Sequence, residues 1–278
     1  MSLRNVSVLY HDVFGTVVDW QSSISDACRA TLRAHPCRSP LDQQQLLDDY
    51  DWDEFTRHWR RGYMVTTRQL SHTGNPHGIT VDQIHLDTLD RLIHRLPPPP
   101  PSSSRPPSLD ADRLASLSLA LADAWDATTR QHLNQRWHTL TPWPDSVHAL
   151  RRLAAHFAIG TLTNGNLALM VDMARSARLP WHFILTADTL GSFKPDDRMY
   201  TSALRLMHLD QTPQRGALVA AHLFDLEAAK RNRMTTIFVS GRPTEDSLPH
   251  DGTVPDYIDI VVRDLDELAR LAQDTLAP

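Results

Sequence analysis

The chain has 278 residues, a formal net charge of -5 and two cysteines, a length that can bury one good core plus a smaller second one. Acids and bases are interspersed, with no basic block beyond pairs such as Arg60-Arg61 and Arg151-Arg152, which argues against a nucleic-acid partner. Cys28 and Cys37 form no CxxC or Cys/His spacing, so neither zinc nor a disulfide scaffold is expected, and a reduced, cytoplasmic setting fits best. No apolar stretch approaches the length of a membrane span, so a soluble protein with no membrane partner is expected.

Met1-Ser2-Leu3-Arg4 leads into the apolar run Val8-Leu9-Tyr10, which carries His11 and Asp12 to the end of a strand before the chain turns at Gly15. A carboxylate serves as a covalent nucleophile when the fold keeps it ionised and aims it at an electrophilic carbon or phosphorus. The Thr16 hydroxyl is placed to hydrogen-bond back to it or to orient a substrate. An Asp before a Gly-Thr turn is often only a turn residue, and three further pieces at later strand ends favour the chemical reading. Strand alternation turns His11 away from Asp12, and it is given no role.

From about Trp20 to Leu140 the apolar residues recur at helical spacing, as in Ile24, Ala27, Cys28 and Leu32, or Phe55, Trp59 and Tyr63, so residues 20–140 read as a helical cap. Within it, residues 97–107 are rich in Pro and Ser and read as a surface insertion of extended polyproline character; a site for a proline-reading module is the rarer alternative.

From Pro142 strands alternate with helices, the pattern of right-handed βαβ units in a parallel sheet. Strands are expected at Ala158–Thr163, Phe183–Thr186, Ala217–Ala221, Thr236–Ser240 and Ile258–Val262, and helices at Ser146–Ala154, Leu167–Ala177, Arg198–Met207 and Leu226–Arg233. The fold class is therefore α/β, a Rossmann-like parallel sheet core formed by residues 1–19 and 141–278. Chemistry in such sheets is sought just past the carboxyl ends of the strands.

Three such ends carry polar residues. Thr163-Asn164-Gly165 offers a hydroxyl and an amide to an anionic group, although Asn-Gly is also a plain turn signal. Phe193-Lys194-Pro195 directs an ammonium from an extended backbone, with Pro195 expected to start the next helix; a lysine beside an aspartate keeps that aspartate ionised. His222-Leu223-Phe224-Asp225 brings an imidazole and a carboxylate to the same pocket, unless Asp225 merely caps the following helix.

The order Asp-x-x-Gly-Thr, Thr-Asn-Gly, Lys-Pro with Tyr200 six residues after Lys194, and His-x-x-Asp resembles the haloacid dehalogenase superfamily, and more narrowly the type II 2-haloacid dehalogenases. Trp59-Arg60 matches the pair from which that family supplies its substrate arginine. The resemblance implies a helical cap inserted after the first strand. It also implies a metal-independent hydrolysis of short 2-haloalkanoic acids, with no cofactor, through an aspartyl ester. Asp12 would attack the halogen-bearing carbon with inversion, and water would then attack the ester at the aspartate carboxyl carbon. Lys194 would keep Asp12 anionic, Asp225 would position or activate water, and Arg60 would stabilise the departing halide. Thr163 and Asn164 would hold the substrate carboxylate, Tyr200 and Thr16 would support the lysine and nucleophile, and Phe14 and His222 would face the substrate. Relatives are often dimers through their helical parts, and the Trp and Leu residues of the cap allow a homodimer here.

Phosphatases of this fold carry a second aspartate two residues after the nucleophile, to protonate a leaving alcohol, and an acid for Mg²⁺ four residues before the position of Asp225. Those positions hold Phe14 and Ala221, which favours a halide leaving group and no metal. His222 stands where some relatives have Asn, and Ala220 replaces the family's serine. The alternatives are a phosphatase or other hydrolase of the same fold, recognised by Mg²⁺-dependent phosphate release, and a catalytically idle protein-binding module, recognised by indifference to Asp12→Asn.

Overall fold

A computed structural model of the chain describes residues 3–37, 41–75, 78–98 and 110–276. Most of the proline-rich insertion lies outside the described residues; at its described edge the Pro97 carbonyl accepts a hydrogen bond from Tyr50 at 2.7 Å.

The chain divides into two compact units, one formed by residues 1–20, 67–78 and 138–278 and the other by residues 21–66 and 79–137. In chain order the elements are β1 (Val8–His11), β2 (Val18–Asp19), α1 (Trp20–Ala34), α2 (Leu41–Asp48), α3 (Trp52–Thr73), α4 (Val81–His94), α5 (Ala111–Ala124) and α6 (Ala127–Asn134), then β3 (Thr141–Pro142), α7 (Ser146–Ala154), β4 (Ala158–Thr163), α8 (Leu167–Ala177), β5 (Phe183–Thr186), α9 (Ala187–Leu190), α10 (Asp197–Leu206), β6 (Gly216–Ala220), α11 (Leu223–Arg231), β7 (Thr235–Val239), β8 (Ile260–Val262) and α12 (Leu265–Leu276).

In the first unit a six-stranded, wholly parallel sheet runs in the order β5-β4-β1-β6-β7-β8. This is the doubly wound order in which the strand sequence reverses between β1 and β6, and the crevice above that reversal is where such sheets bind ligands. Every residue of β1, β6 and β7 is buried, as expected of strands covered on both faces. His11 pairs in register with Thr161 on one side and Val219 on the other, and the Asp12 amide extends the ladder to the Val219 carbonyl at 3.0 Å. A two-stranded antiparallel ribbon, β2 with β3, lies outside the sheet.

The second unit is helical and built around aromatic rings. Trp52, Trp59, Trp125 and Trp137 are fully buried; Trp52 stacks on Trp125 and Trp59 meets Trp137 edge-on, both with centroids 5.5 Å apart. The predicted stripes Ile24, Ala27, Cys28 and Leu32, and Phe55, Trp59 and Tyr63, are buried as helical spacing requires. Thr80, Asp110 and Asp126 cap α4, α5 and α6, each accepting from the backbone amide three residues on.

Several expectations need correction. Helix α11 begins at Leu223 rather than Leu226, because extended His222 is its N-cap; Asp225 lies in the first turn and does not cap it. Apolar Leu223 and Phe224 concealed that start. Pro195 does not start α10: Asp196 is the N-cap, its carboxylate accepting from the Arg198 amide at 2.9 Å. The strand expected at Thr236–Ser240 runs one residue earlier, and that expected at Ile258–Val262 is shorter.

Candidate active site

Asp12 follows β1 directly, and its turn is held from several directions. Gly15 has φ +84, a conformation that favours glycine, and a side chain there would put its Cβ 2.3 Å from the Glu245 carboxyl group, which would have to move. Trp143 Nε1 donates to the Gly15 carbonyl at 2.8 Å, and Ser146 Oγ donates to that of Val17 at 2.7 Å. Thr16 Oγ1 donates to Asp12 Oδ2 at 2.8 Å and accepts from the Ala221 amide at 2.9 Å, tying the turn to the end of β6.

Around the Asp12 carboxylate the charges alternate. Lys194 Nζ donates to Asp12 Oδ1 at 3.0 Å and also bonds Asp225. Tyr200 donates its phenol proton to the other oxygen of Asp225 at 2.5 Å. On the far oxygen of Asp12, His222 Nδ1 lies at 3.0 Å, and His222 Nε2 lies 2.8 Å from Glu245 Oε2. All of these side chains are buried.

Burial by itself would raise the pKa of Asp12, but the Lys194 and His222 charges outweigh it and hold the carboxyl well below the usual range, so it is ionised. Burial likewise opposes the charge of Lys194, and the two carboxylates overcome it, raising its pKa. His222 is pushed up to about 10 in the same way: desolvation lowers it, while Asp12 and Glu245 raise it further. Asp225 is raised, chiefly by burial. Tyr200 is raised well above its ordinary value by burial and the Asp225 charge, and stays a donor.

The remaining predicted residues divide. Asn164 clamps the lysine segment: its Oδ1 accepts from the Lys194 amide at 2.6 Å and its Nδ2 donates to the Lys194 carbonyl at 3.4 Å. Thr163 is buried, its hydroxyl accepting from the Gly165 amide at 3.1 Å. Phe14 is buried beside Gly165, where an added Cβ would lie 3.3 Å from the ring. Arg60 lies on α3 in the helical unit, its guanidinium 4.6 Å over the Tyr63 ring, and its neighbour Trp59 donates to the His85 carbonyl at 2.8 Å. His11 faces the Gly160 carbonyl and not Asp12, and burial lowers it to about 4, leaving it neutral.

Two contributors were not foreseen, and both come from the loop after β7. Glu245 holds His222 and accepts from Trp20 Nε1 at 2.6 Å. Arg242 forms a bidentate pair with Asp145 at 2.8 and 2.9 Å and donates to the Thr16 carbonyl at 3.0 Å. Both lie in the segment past a strand end, but no motif or spacing marks either residue.

This donor set does not suit Mg²⁺. Asp12 is flanked by two cations, and Ala221 offers no side-chain oxygen where an acid ligand would stand.

The family model for haloacid dehalogenase-like hydrolases matches residues 12–232, from the aspartate after β1 to the end of α11. The chain belongs to this family. A haloacid dehalogenase-like core of parallel sheet and flanking helices, with an inserted helical cap, is thus its fold. Among individual relatives, an (S)-2-haloacid dehalogenase of Pseudomonas fluorescens is 32% identical over 124 residues, covering 43% of this chain and 52% of the relative. The chain thus spans about half the length of the curated relatives it matches. The crystal structure of an L-2-haloacid dehalogenase superposes with a TM-score of 0.72 at 31% identity, covering 95% of this chain and 98% of the other. That of a defluorinating L-2-haloacid dehalogenase gives 0.74 at 29% identity, covering 96% and 95%.

Proposed function

We propose that this haloacid dehalogenase-like hydrolase removes the halogen from short 2-haloalkanoic acids, of the haloacetate or 2-halopropionate type, through an aspartyl ester and without a metal. The observation that carries the reading is the Asp12 carboxylate, ionised between Lys194 and His222, with Phe14 and Ala221 where a phosphatase needs acids. A halide leaves without a proton, so no general acid is needed at the position of Phe14.

In this reading Asp12 displaces the halide with inversion, giving an ester of its carboxyl group and a free halide ion. Lys194 keeps Asp12 charged, and Asp225 with Tyr200 fixes the ammonium and borders the water that follows. Thr16 orients the nucleophile. Asn164 fixes the backbone of Lys194, and with Thr163 borders the place of the substrate carboxylate. Arg60 is assigned the departing halide, a task suited to a permanently charged, weakly hydrated guanidinium. Both cysteines are free and buried, which agrees with a cytoplasmic setting, and among the described residues no helix is long and apolar enough to cross a membrane. A homodimer is proposed through the helical unit, where Val65 and Leu119 expose 63% and 73% of their surface.

The test is halide release from chloroacetate, fluoroacetate and each enantiomer of 2-chloropropionate in EDTA, beside phosphate release from an aryl phosphate with Mg²⁺. Halide release that survives the chelator and vanishes in Asp12→Asn is expected; phosphate release alone would overturn the reading.

A further inference from the structure

Both ring nitrogens of His222 face carboxylates, Nδ1 that of Asp12 at 3.0 Å and Nε2 that of Glu245 at 2.8 Å. Carboxylates only accept, so the resting ring carries two protons. Glu245 is itself fixed: its other oxygen accepts from Trp20 Nε1 at 2.6 Å and from Thr244 Oγ1 at 2.9 Å.

Alkylation of Asp12 changes this balance. The ester has no negative charge to face Nδ1, and burial then acts against the imidazolium with only Glu245 to oppose it. The Nδ1 proton leaves for solvent. The ring keeps its Nε2 proton on Glu245 and turns an unshared pair toward the esterified carboxyl group.

We infer that His222, oriented by Glu245, is the general base that activates water to hydrolyse the aspartyl ester. This rests on the dehalogenase reading and assigns its second half-reaction. The neighbours are less suited: the Lys194 ammonium still faces the Asp225 carboxylate, and both oxygens of Asp225 are engaged, one by Lys194 and one by Tyr200.

Water oxygen bonds to Asp12 Cγ while its proton passes to His222 Nδ1, and the carbonyl electron pair moves onto oxygen. Collapse of this tetrahedral anion breaks the bond from Cγ to the substrate oxygen, and the leaving alkoxide takes the proton from His222. The Asp12 carboxyl proton then returns to Nδ1, restoring the resting pair. Each cycle consumes one water and releases one hydroxy acid, one halide and the one proton lost to solvent.

The charged groups facing the ring are Asp12 after β1 and Glu245 after β7. Lys194 lies on the other oxygen of Asp12, Asp225 in the same turn of α11, and Asp246 accepts from the Leu223 amide at 2.8 Å. Glu245 is a positioning residue, acting through the imidazole alone.

The experiment uses the full chain, its His222→Gln and Glu245→Gln variants, and racemic 2-chloropropionate, following halide in the first turnover and at steady state together with the mass of the peptide carrying Asp12. In His222→Gln, a burst of halide stoichiometric with enzyme is expected, then steady-state turnover reduced about a hundredfold or more. The peptide should gain the mass of the substrate less its halide. In Glu245→Gln, which keeps the imidazole, the acid limb of the steady-state pH profile moves to lower pH, because the charge that raised His222 is gone. A His222→Gln enzyme that turns over normally, or that slows without accumulating ester, overturns the inference while wild-type halide release leaves the dehalogenase reading standing. Wild-type enzyme that releases no halide overturns both.

Discussion

The Lys194 ammonium donates to Asp12 Oδ1 at 3.0 Å while also bonding Asp225, so one buried positive charge serves two carboxylates. Asp12 is the one held far below the usual range, because His222 adds a second cation on its other oxygen. Which of the two carboxylates is held ionised is thereby set by its neighbours.

Removing the shared charge should be costly. In Lys194→Met, Asp12 and Asp225 lose the ammonium between them, and breaking a buried pair from one side costs about 3–5 kcal/mol. Turnover should be lost at the same time. Asp225, already raised by burial, rises further without the lysine. An acid whose folded pKa is raised is stabilised by protonation, so the deficit should be smaller near about pH 5 than near about pH 8. Urea unfolding at the two pH values measures this.

His222 gives the wild-type protein an alkaline limb of stability. Its folded pKa of about 10 lies above its ordinary 6.5, so its contribution is complete below about 6.5 and is lost as pH rises toward about 10. Melting temperatures across that window should fall, and His222→Gln should flatten the decline. An unchanged slope in the variant would remove His222 as its source.

The chain's organisation was largely legible in its sequence, because buried parallel strands are continuous apolar runs; β4, β5, α7 and α8 lie where patterning predicts them. Asp12, Lys194, Tyr200, His222 and Asp225 also stood out, each at a strand end or in the segment after it. Glu245 did not, since its importance comes from a contact with Gly15 and Trp20, far away in sequence, that no local pattern encodes. The start of α11 was hidden for a related reason: Leu223 and Phe224 carry no helix-start signal, and the cap is a histidine.

Gly15→Ala should show how closely Glu245 packs on the turn after Asp12. The substitution meets a left-handed backbone, costing about 1–2 kcal/mol, and a carboxyl group 2.3 Å from the new Cβ. Glu245 must move, and it carries bonds to Trp20 and His222. A lower melting temperature together with reduced turnover is expected; lower stability with full activity would mean that Glu245 adjusts without disturbing His222.

Arg242→Ala should act from outside the reacting groups. It takes the guanidinium from the half-buried Asp145 carboxylate, which keeps the Leu265 amide as a donor, and frees the Thr16 carbonyl, a loss of about 1.5–3 kcal/mol. Arg242→Lys should recover only part of this, because an ammonium cannot reproduce the two-pronged contact. Denaturant midpoints of the two variants give the comparison.

In the proposed mechanism Asp12 itself forms a bond to the substrate. Single-turnover hydrolysis of 2-chloropropionate in ¹⁸O-labelled water, with enzyme in excess, tests it most directly. An unlabelled hydroxy acid is expected, with the heavy oxygen in the Asp12 carboxyl group. Label in the hydroxy acid from the first turnover, with Asp12 unlabelled, would show that water attacks the substrate directly and would contradict it.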